Sequence, residues 1–145
     1  MTTREPLKPG AGRWMKEELT RIATADDLHV APFREDGVTY GTPTWVWCVV
    51  GEAVYARAYH GIRSSWYRAA VRQGAGRVHV AGMVREVVFE PVPEDDPLQA
   101  EIDATYREKY RGSPYLEPMV SPWVRAATVR ILPRDESTNP ILSQP

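Results

Sequence analysis

The stretch DDLHVAPFREDGVTYGTPTWVWCVV, residues 26–50, decides the fold class. It holds two runs of β-forming residues, and the Asp-Gly pair at 36–37 between them is the strongest short signal for a hairpin. In the second run, alternate residues point to opposite faces, and both faces of residues 44–49 are apolar. A hairpin-connected strand that is covered on both faces indicates an antiparallel sheet closing into a barrel.

The rest of the chain supplies further strands and three helices. Helical spacing of apolar residues, a glycine stop and an Asp-Asp-Pro start predict helices over 13–23, 65–73 and 97–111. We expect one closed antiparallel sheet built from residues 26–93 and 123–132, which makes the fold mainly β, of the α+β type. The expected organisation is an N-terminal arm over 1–12, one domain over 13–134 and a mobile C-terminal tail over 135–145.

Composition excludes several classes of function. A chain of 145 residues with a net charge of −1 suits one globular domain and lacks the basic excess of a nucleic-acid binder. No apolar run has the length of a membrane span, and residues 1–12 lack the apolar core of a signal peptide. The single Cys48 lies in an apolar run and is interpreted as a buried thiol in a reducing cytoplasm.

Common catalytic and metal-binding motifs are missing from the sequence. There is no dinucleotide-binding glycine fingerprint, no Walker-type loop and no nucleophile elbow. His29, His60 and His79 lack the spacing of metal ligands, although two of them could meet on neighbouring strands, so no metal is predicted. A nucleophilic role for Cys48 would need a base beside it, and the local sequence supplies none.

A predicted strand, turn and helix over residues 53–74 gather arginines and hydroxyls where the helix begins. Backbone N–H groups are unpaired at a helix start, and arginine donates paired hydrogen bonds to phosphate. With nearby aromatic rings for stacking, this pattern favours a ligand that carries a ring and a phosphate. The residues expected to hold the anion are Arg57, Arg63, Ser64 and Ser65. The alternative is that a serine only caps the helix and the arginines are solvated.

Three blocks of the sequence carry a resemblance to a known superfamily: ADDLHVAPFREDGVTYGTPTW, YARAYHGIRSSWYRAAVRQGAGR and KYRGSPYLEPM. They resemble an uncharacterised bacterial domain-of-unknown-function family placed among the pyridoxamine 5'-phosphate oxidase-like, FMN-binding split barrels. The resemblance implies an antiparallel split β-barrel with flanking helices and a homodimer that shares its cofactor cleft. It also implies a flavin- or deazaflavin-dependent oxidoreductase acting on a small organic molecule.

The resemblance also implies which residues form the site. The ring would lie near Thr42, Pro43, Thr44 and Trp45, and the remaining cofactor contacts would come from Arg57, Tyr59, Arg63, Ser64, Ser65 and Trp66. Tyr115 and Trp47 would close the substrate side. Oxidases of this type usually carry adjacent basic residues after the loop serine, whereas here Trp66 and Tyr67 follow. FMN, a deazaflavin, a non-enzymatic binder of small molecules and a cofactor-free enzyme using the same cleft therefore remain open.

Overall fold

The computed structural model describes residues 10–134 and consists of seven strands, five helices and one 3-10 turn. The helices are α1 (Lys16–Ala23), α2 (Ser65–Gln73), α3 (Leu98–Lys109), α4 (Leu116–Met119) and α5 (Pro122–Arg125), and the 3-10 turn is Gly61–Arg63. The strands are β1 (His29–Pro32), β2 (Thr44–Trp45), β3 (Cys48–Val50), β4 (Val54–Arg57), β5 (Ala75–Val80), β6 (Met83–Val92) and β7 (Thr128–Pro133).

All seven strands belong to one sheet in the order β2-β1-β5-β6-β7-β4-β3, and every neighbouring pair is antiparallel. The prediction of a mainly antiparallel α+β fold is confirmed. β2 and β3 are consecutive in the chain yet form the two outer edges, so the sheet must curl to bring its edges near each other. The described strands form no ladder between β2 and β3, so the sheet is a curled half-barrel and the prediction of a closed sheet is wrong.

The prediction of one continuous strand through residues 42–50 is wrong. The chain leaves the ladder at Val46, whose N–H donates to Leu28 O at 3.0 Å, and re-enters a different part of the sheet at Cys48. Trp47, at the break, stacks on Tyr110, the C-cap residue of α3, with ring centroids 3.9 Å apart and planes 4° apart. Stacking against a helix, which no local pattern specifies, replaces strand pairing here.

Side chains of α3 bind the backbone around this break. The Tyr106 hydroxyl accepts from Arg57 N at 3.1 Å and donates to Trp47 O at 3.2 Å. The Tyr110 hydroxyl lies 3.2 Å from Cys48 N and 3.1 Å from Cys48 O. Burial raises the pKa of both phenols, since the apolar surroundings disfavour a phenolate. α3 therefore fixes the end of β4 and the start of β3 together.

The core fills the inside of the curl. Its fully buried side chains include Ile22 from α1, Val30 from β1, Phe89 from β6 and Ile131 from β7. α1 and α3 pack on β3, while α2 packs on β1. No helix in residues 10–134 is long and apolar enough to cross a membrane.

The predicted element boundaries agree best with the structure where they depend on neighbouring residues in the sequence. α2 has the predicted bounds and ends at Gly74 in the left-handed conformation, and a turn forms at Asp36-Gly37 as expected. The last strand begins at Thr128 rather than at residue 123, because the Ser121 hydroxyl caps a short helix first. α1 and α3 are each shorter than predicted. Residues 1–9 of the predicted arm, and the predicted mobile tail over 135–145, lie outside the described residues.

Candidate functional site

A cavity of about 850 Å³ opens between the β2–β3 connection, the end of β4, the start of α2 and α4. Its volume lies in the range of small-molecule sites. Ten of the twelve predicted site residues line it: Thr44, Trp45, Trp47, Arg57, Tyr59, Arg63, Ser64, Ser65, Trp66 and Tyr115. Thr42 lines an adjoining groove, and Pro43 lies beside it in the chain at the edge strand without lining either space.

The turn from β4 into α2 carries the polar residues that line one side of the cavity. Ala58 N donates to Ala127 O and Gly61 N donates to Ala58 O, which folds the chain sharply back. Gly61 has φ +75°, and a Cβ there would lie 2.7 Å from Trp123 Cε2, so this position requires glycine. The turn places Arg63, Ser64 and Ser65 at the mouth of the cavity.

The start of α2 keeps its hydrogen-bonding groups available. Ser64 is the N-cap residue, yet its side chain makes no capping hydrogen bond, and the first turn holds no acidic residue. The first helical bond runs from Arg68 N to Ser64 O, which leaves the preceding N–H groups without helical partners. The Arg63 side chain is exposed and makes no ion pair or hydrogen bond with another residue in 10–134. This end of the cavity can therefore hold an anion.

Arg57 differs from its expected setting. The sequence predicted that Arg57 helps to hold an anion, whereas its side chain is 1% exposed, forms part of the cavity floor and is bonded to the protein. Nε donates to Thr128 Oγ1 at 3.1 Å, Nη1 to Met119 O at 3.0 Å and Nη2 to Gln99 Oε1 at 2.6 Å. Asp103 Oδ1 lies 2.6 Å from Nη1 as an ion pair without hydrogen-bond alignment, so Met119 O receives the directed bond. A ligand could bond to Arg57 only by displacing a protein acceptor.

Aromatic side chains form the other walls and the rim. Trp45, Tyr59 and Tyr115 are 55%, 41% and 58% exposed, respectively, and the rings of Tyr59 and Tyr115 meet edge to face at 6.1 Å. Trp45 Nε1 donates to Asp26 O at 2.5 Å, which fixes that indole against the loop before β1. Trp66 is buried at the base of α2. These faces can stack on a flat ring.

Three cavity residues were missed by the sequence analysis: Val46, His60 and Met119. Val46 and His60 sit directly beside predicted residues, so widening each predicted segment by one position would have found them. Met119 has no such signal, because it reaches the cavity only through the packing of α4 and its carbonyl bond with Arg57.

Cys48 is fully buried, as expected for a structural thiol. Lys109, which the local sequence could not associate with it, places Nζ 3.8 Å from the sulfur and donates to Ala25 O and Cys48 O. Burial raises the pKa of the thiol despite this lysine, which disfavours a thiolate nucleophile.

Two histidines do meet on neighbouring strands. His29 lies opposite His79 in the β1–β5 pair. Within residues 10–134, however, no group of three or more histidine, cysteine or carboxylate side chains is arranged to hold a metal ion.

Comparison with known proteins identifies the family alone. A family model described as an uncharacterized protein conserved in bacteria (DUF2255) matches residues 18–131, well over half of the chain. Searches of curated proteins and of solved structures each returned no match. The matched region contains the curled sheet from β1 into β7 and every residue that lines the cavity. The chain therefore belongs to DUF2255, a family of uncharacterised bacterial proteins.

Proposed function

We propose that the protein is a flavin- or deazaflavin-dependent oxidoreductase acting on a small organic molecule, and that its curled sheet is a variant of the split barrel. The observation that carries the proposal is the convergence of ten expected site residues on one cavity of about 850 Å³. These residues come from three separate segments of the chain, 44–47, 57–66 and Tyr115, so closeness in the sequence alone does not bring them together.

The two sides of the cavity suit the two parts of such a cofactor. Trp45, Tyr59 and Trp66 offer apolar faces to a flat ring, and Arg63 with the N-terminus of α2 offers donors to a phosphate. Arg57 supports the floor from below through its protein bonds rather than by donating to the phosphate. When bound, the ring would supply the hydride chemistry, and the protein would supply position and electrostatics.

The substrate would enter past the rim. Tyr115 is exposed at the N-cap of α4 and touches Tyr59, so the two rings bound the opening from one side. Trp47 is held by its stack on Tyr110 and presents a fixed wall on the other side. A small, flat or apolar substrate fits between these walls better than a highly charged one.

One observation favours a second candidate, a binding protein without catalysis. Among the arginines that line the cavity, only Arg63 lacks a partner within residues 10–134, since Arg57 is engaged by the protein. A single free guanidinium at an open site adds only modestly to the affinity for phosphate. The same cavity could then serve a ring-bearing ligand whose binding is not followed by a reaction.

Absorbance of the purified protein and titration with FMN and a deazaflavin test the proposal. We expect one of these cofactors to bind and Arg63→Ala to weaken its affinity about tenfold, the size of one hydrogen bond to a charged group. Arg68→Ala is the matched control, because Arg68 is also exposed, on α2, but does not line the cavity. If neither cofactor binds, the oxidoreductase proposal is overturned and the binding protein is favoured.

A further inference from the structure

A second groove, of about 550 Å³, continues the candidate cavity along α2. Thr44, Ser65 and Trp66 line both spaces, so the two meet over these three residues. Ser65 also begins α2, where the phosphate of the proposed cofactor would lie. A ligand bound at Ser65 could therefore extend into the groove while the part of it in the candidate cavity keeps its position.

One wall of the groove is a single face of α2. Ser65, Ala69 and Arg72 follow each other at i, i+4 and i+7 and therefore share this face. A rise of 1.5 Å per residue puts the Arg72 backbone about 10 Å beyond Ser65 along the helix axis, and side chains on a helix lean toward its N-terminus, so the guanidinium can reach back over Ala69 toward Ser65. Ala69 between them is small and leaves the groove open. The Arg72 side chain is exposed and makes no hydrogen bond or ion pair within residues 10–134, so its guanidinium is free for a second anionic group.

The opposite wall is the loop between β1 and β2. Phe33 is half-buried and stacks on Tyr40 at 5.0 Å, which holds its ring in place. The Asp36 carboxylate is already bonded to Thr39 and Val38, and its pKa is lowered first by the Thr39 hydroxyl and then by those backbone N–H groups. Glu35 is exposed and makes no hydrogen bond or ion pair with residues 10–134. The loop thus offers one fixed aromatic ring, one free carboxylate and Arg34, whose Nε already donates to Tyr40 O at 3.0 Å.

We propose that this groove binds the second half of a dinucleotide cofactor, so that the protein prefers FAD to FMN. The inference rests on the proposed function. The second phosphate would pair with Arg72, a ribose hydroxyl would donate to Glu35, and the base would lie against Phe33.

Titration of the apo-protein with FAD and FMN tests this inference. We expect FAD to bind about tenfold more tightly than FMN, the effect of one charge-assisted contact beyond the shared half. Arg72→Ala should remove this preference and leave the FMN affinity unchanged. Glu35→Gln should weaken FAD binding by a smaller factor. Arg68→Ala, on the same helix but outside the groove, should change neither affinity.

The outcomes separate this inference from the proposed function. Equal affinities, tighter FMN binding, or a preference for FAD that survives both Arg72→Ala and Glu35→Gln would overturn the dinucleotide inference and leave an FMN enzyme intact. Binding of neither flavin overturns the dinucleotide inference as well, and a deazaflavin titration then decides whether the oxidoreductase proposal stands. All three variants are at exposed positions, so thermal melts should match that of the wild type.

Discussion

The buried guanidinium of Arg57 lies beneath the candidate cavity. It forms an ion pair with Asp103 and donates hydrogen bonds to Gln99, Thr128 and the Met119 carbonyl. Arg57→Met would leave Met119 O and Gln99 Oε1 buried without their guanidinium donor, while Asp103 would keep its second partner, Arg125, at 2.7 Å. Because each buried acceptor left without a donor costs stability, we expect Arg57→Met to lower the free energy of unfolding by about 3 kcal/mol, measured by urea denaturation. A near-wild-type unfolding curve combined with lost cofactor affinity would show instead that Arg57 is a ligand. Arg63→Met is the control, since exposed substitutions change stability by about 0.5 kcal/mol or less.

At the scale of elements, a tyrosine hydroxyl of α3 binds backbone groups of β4 and of the β2–β3 connection. Because this phenol is buried, the stability of the fold depends on alkaline pH. The pKa of Tyr106 is raised in the folded protein, chiefly by burial. In the unfolded chain this phenol loses its proton near pH 10, whereas the folded protein keeps it. At this group the unfolded state then binds fewer protons than the folded state. Tyr106 alone therefore lowers the free energy of unfolding as pH rises above about 10, by up to about 1.4 kcal/mol per pH unit.

Tyr106→Phe tests this role of α3. The variant loses the hydroxyl bonds to Arg57 N and Trp47 O and should be less stable than the wild type by about 1 kcal/mol at pH 8. Its stability should also fall less steeply between pH 9 and pH 11, roughly the span around the phenol pKa, in urea unfolding experiments. Tyr115→Phe, at an exposed position, should retain the wild-type slope. Equal slopes for Tyr106→Phe and the wild type would contradict the argument.

At the scale of the whole molecule, exposed apolar side chains lie at and beside the mouth of the cavity. Trp45, Tyr59 and Tyr115 line it, Ile62 lies in the adjoining 3-10 turn, and Trp123 lies against Gly61 of that turn. Exposed apolar clusters of this kind mark interaction sites. We propose that a second copy of the chain covers this surface and forms a homodimer. Light scattering should give twice the chain mass of 16.4 kDa at micromolar concentration, roughly the working range of the method.

Trp123→Glu should produce a monomer, because a charge would then be buried in the interface. Val84→Glu is the matched control: Val84 is equally exposed but lies on β6 beside a different groove. A wild-type protein that runs at 16.4 kDa would rule out the homodimer. A dimer unaffected by Trp123→Glu would place the interface elsewhere.

The amino-acid sequence by itself determined the features that depend on near neighbours. The bounds of α2, the turn at Asp36-Gly37 and the gathering of Arg63, Ser64 and Ser65 at a helix start all follow from residues within a few positions of one another. Alternation and turn signals also predicted a mainly antiparallel sheet. Local backbone preferences and side-chain periodicity act within single elements, so they can be recognised without the tertiary structure.

Only the tertiary structure decided how distant segments share their polar and aromatic groups. Arg57 is 62 positions from Met119 and 42 from Gln99, and it is their carbonyl and amide groups that turn an apparent ligand-binding arginine into a buried support. The break between β2 and β3 likewise depends on Tyr110 stacking on Trp47 from far along the chain. Such partners are selected by packing and by the need to pair every buried polar group, conditions that exist only once the chain has folded.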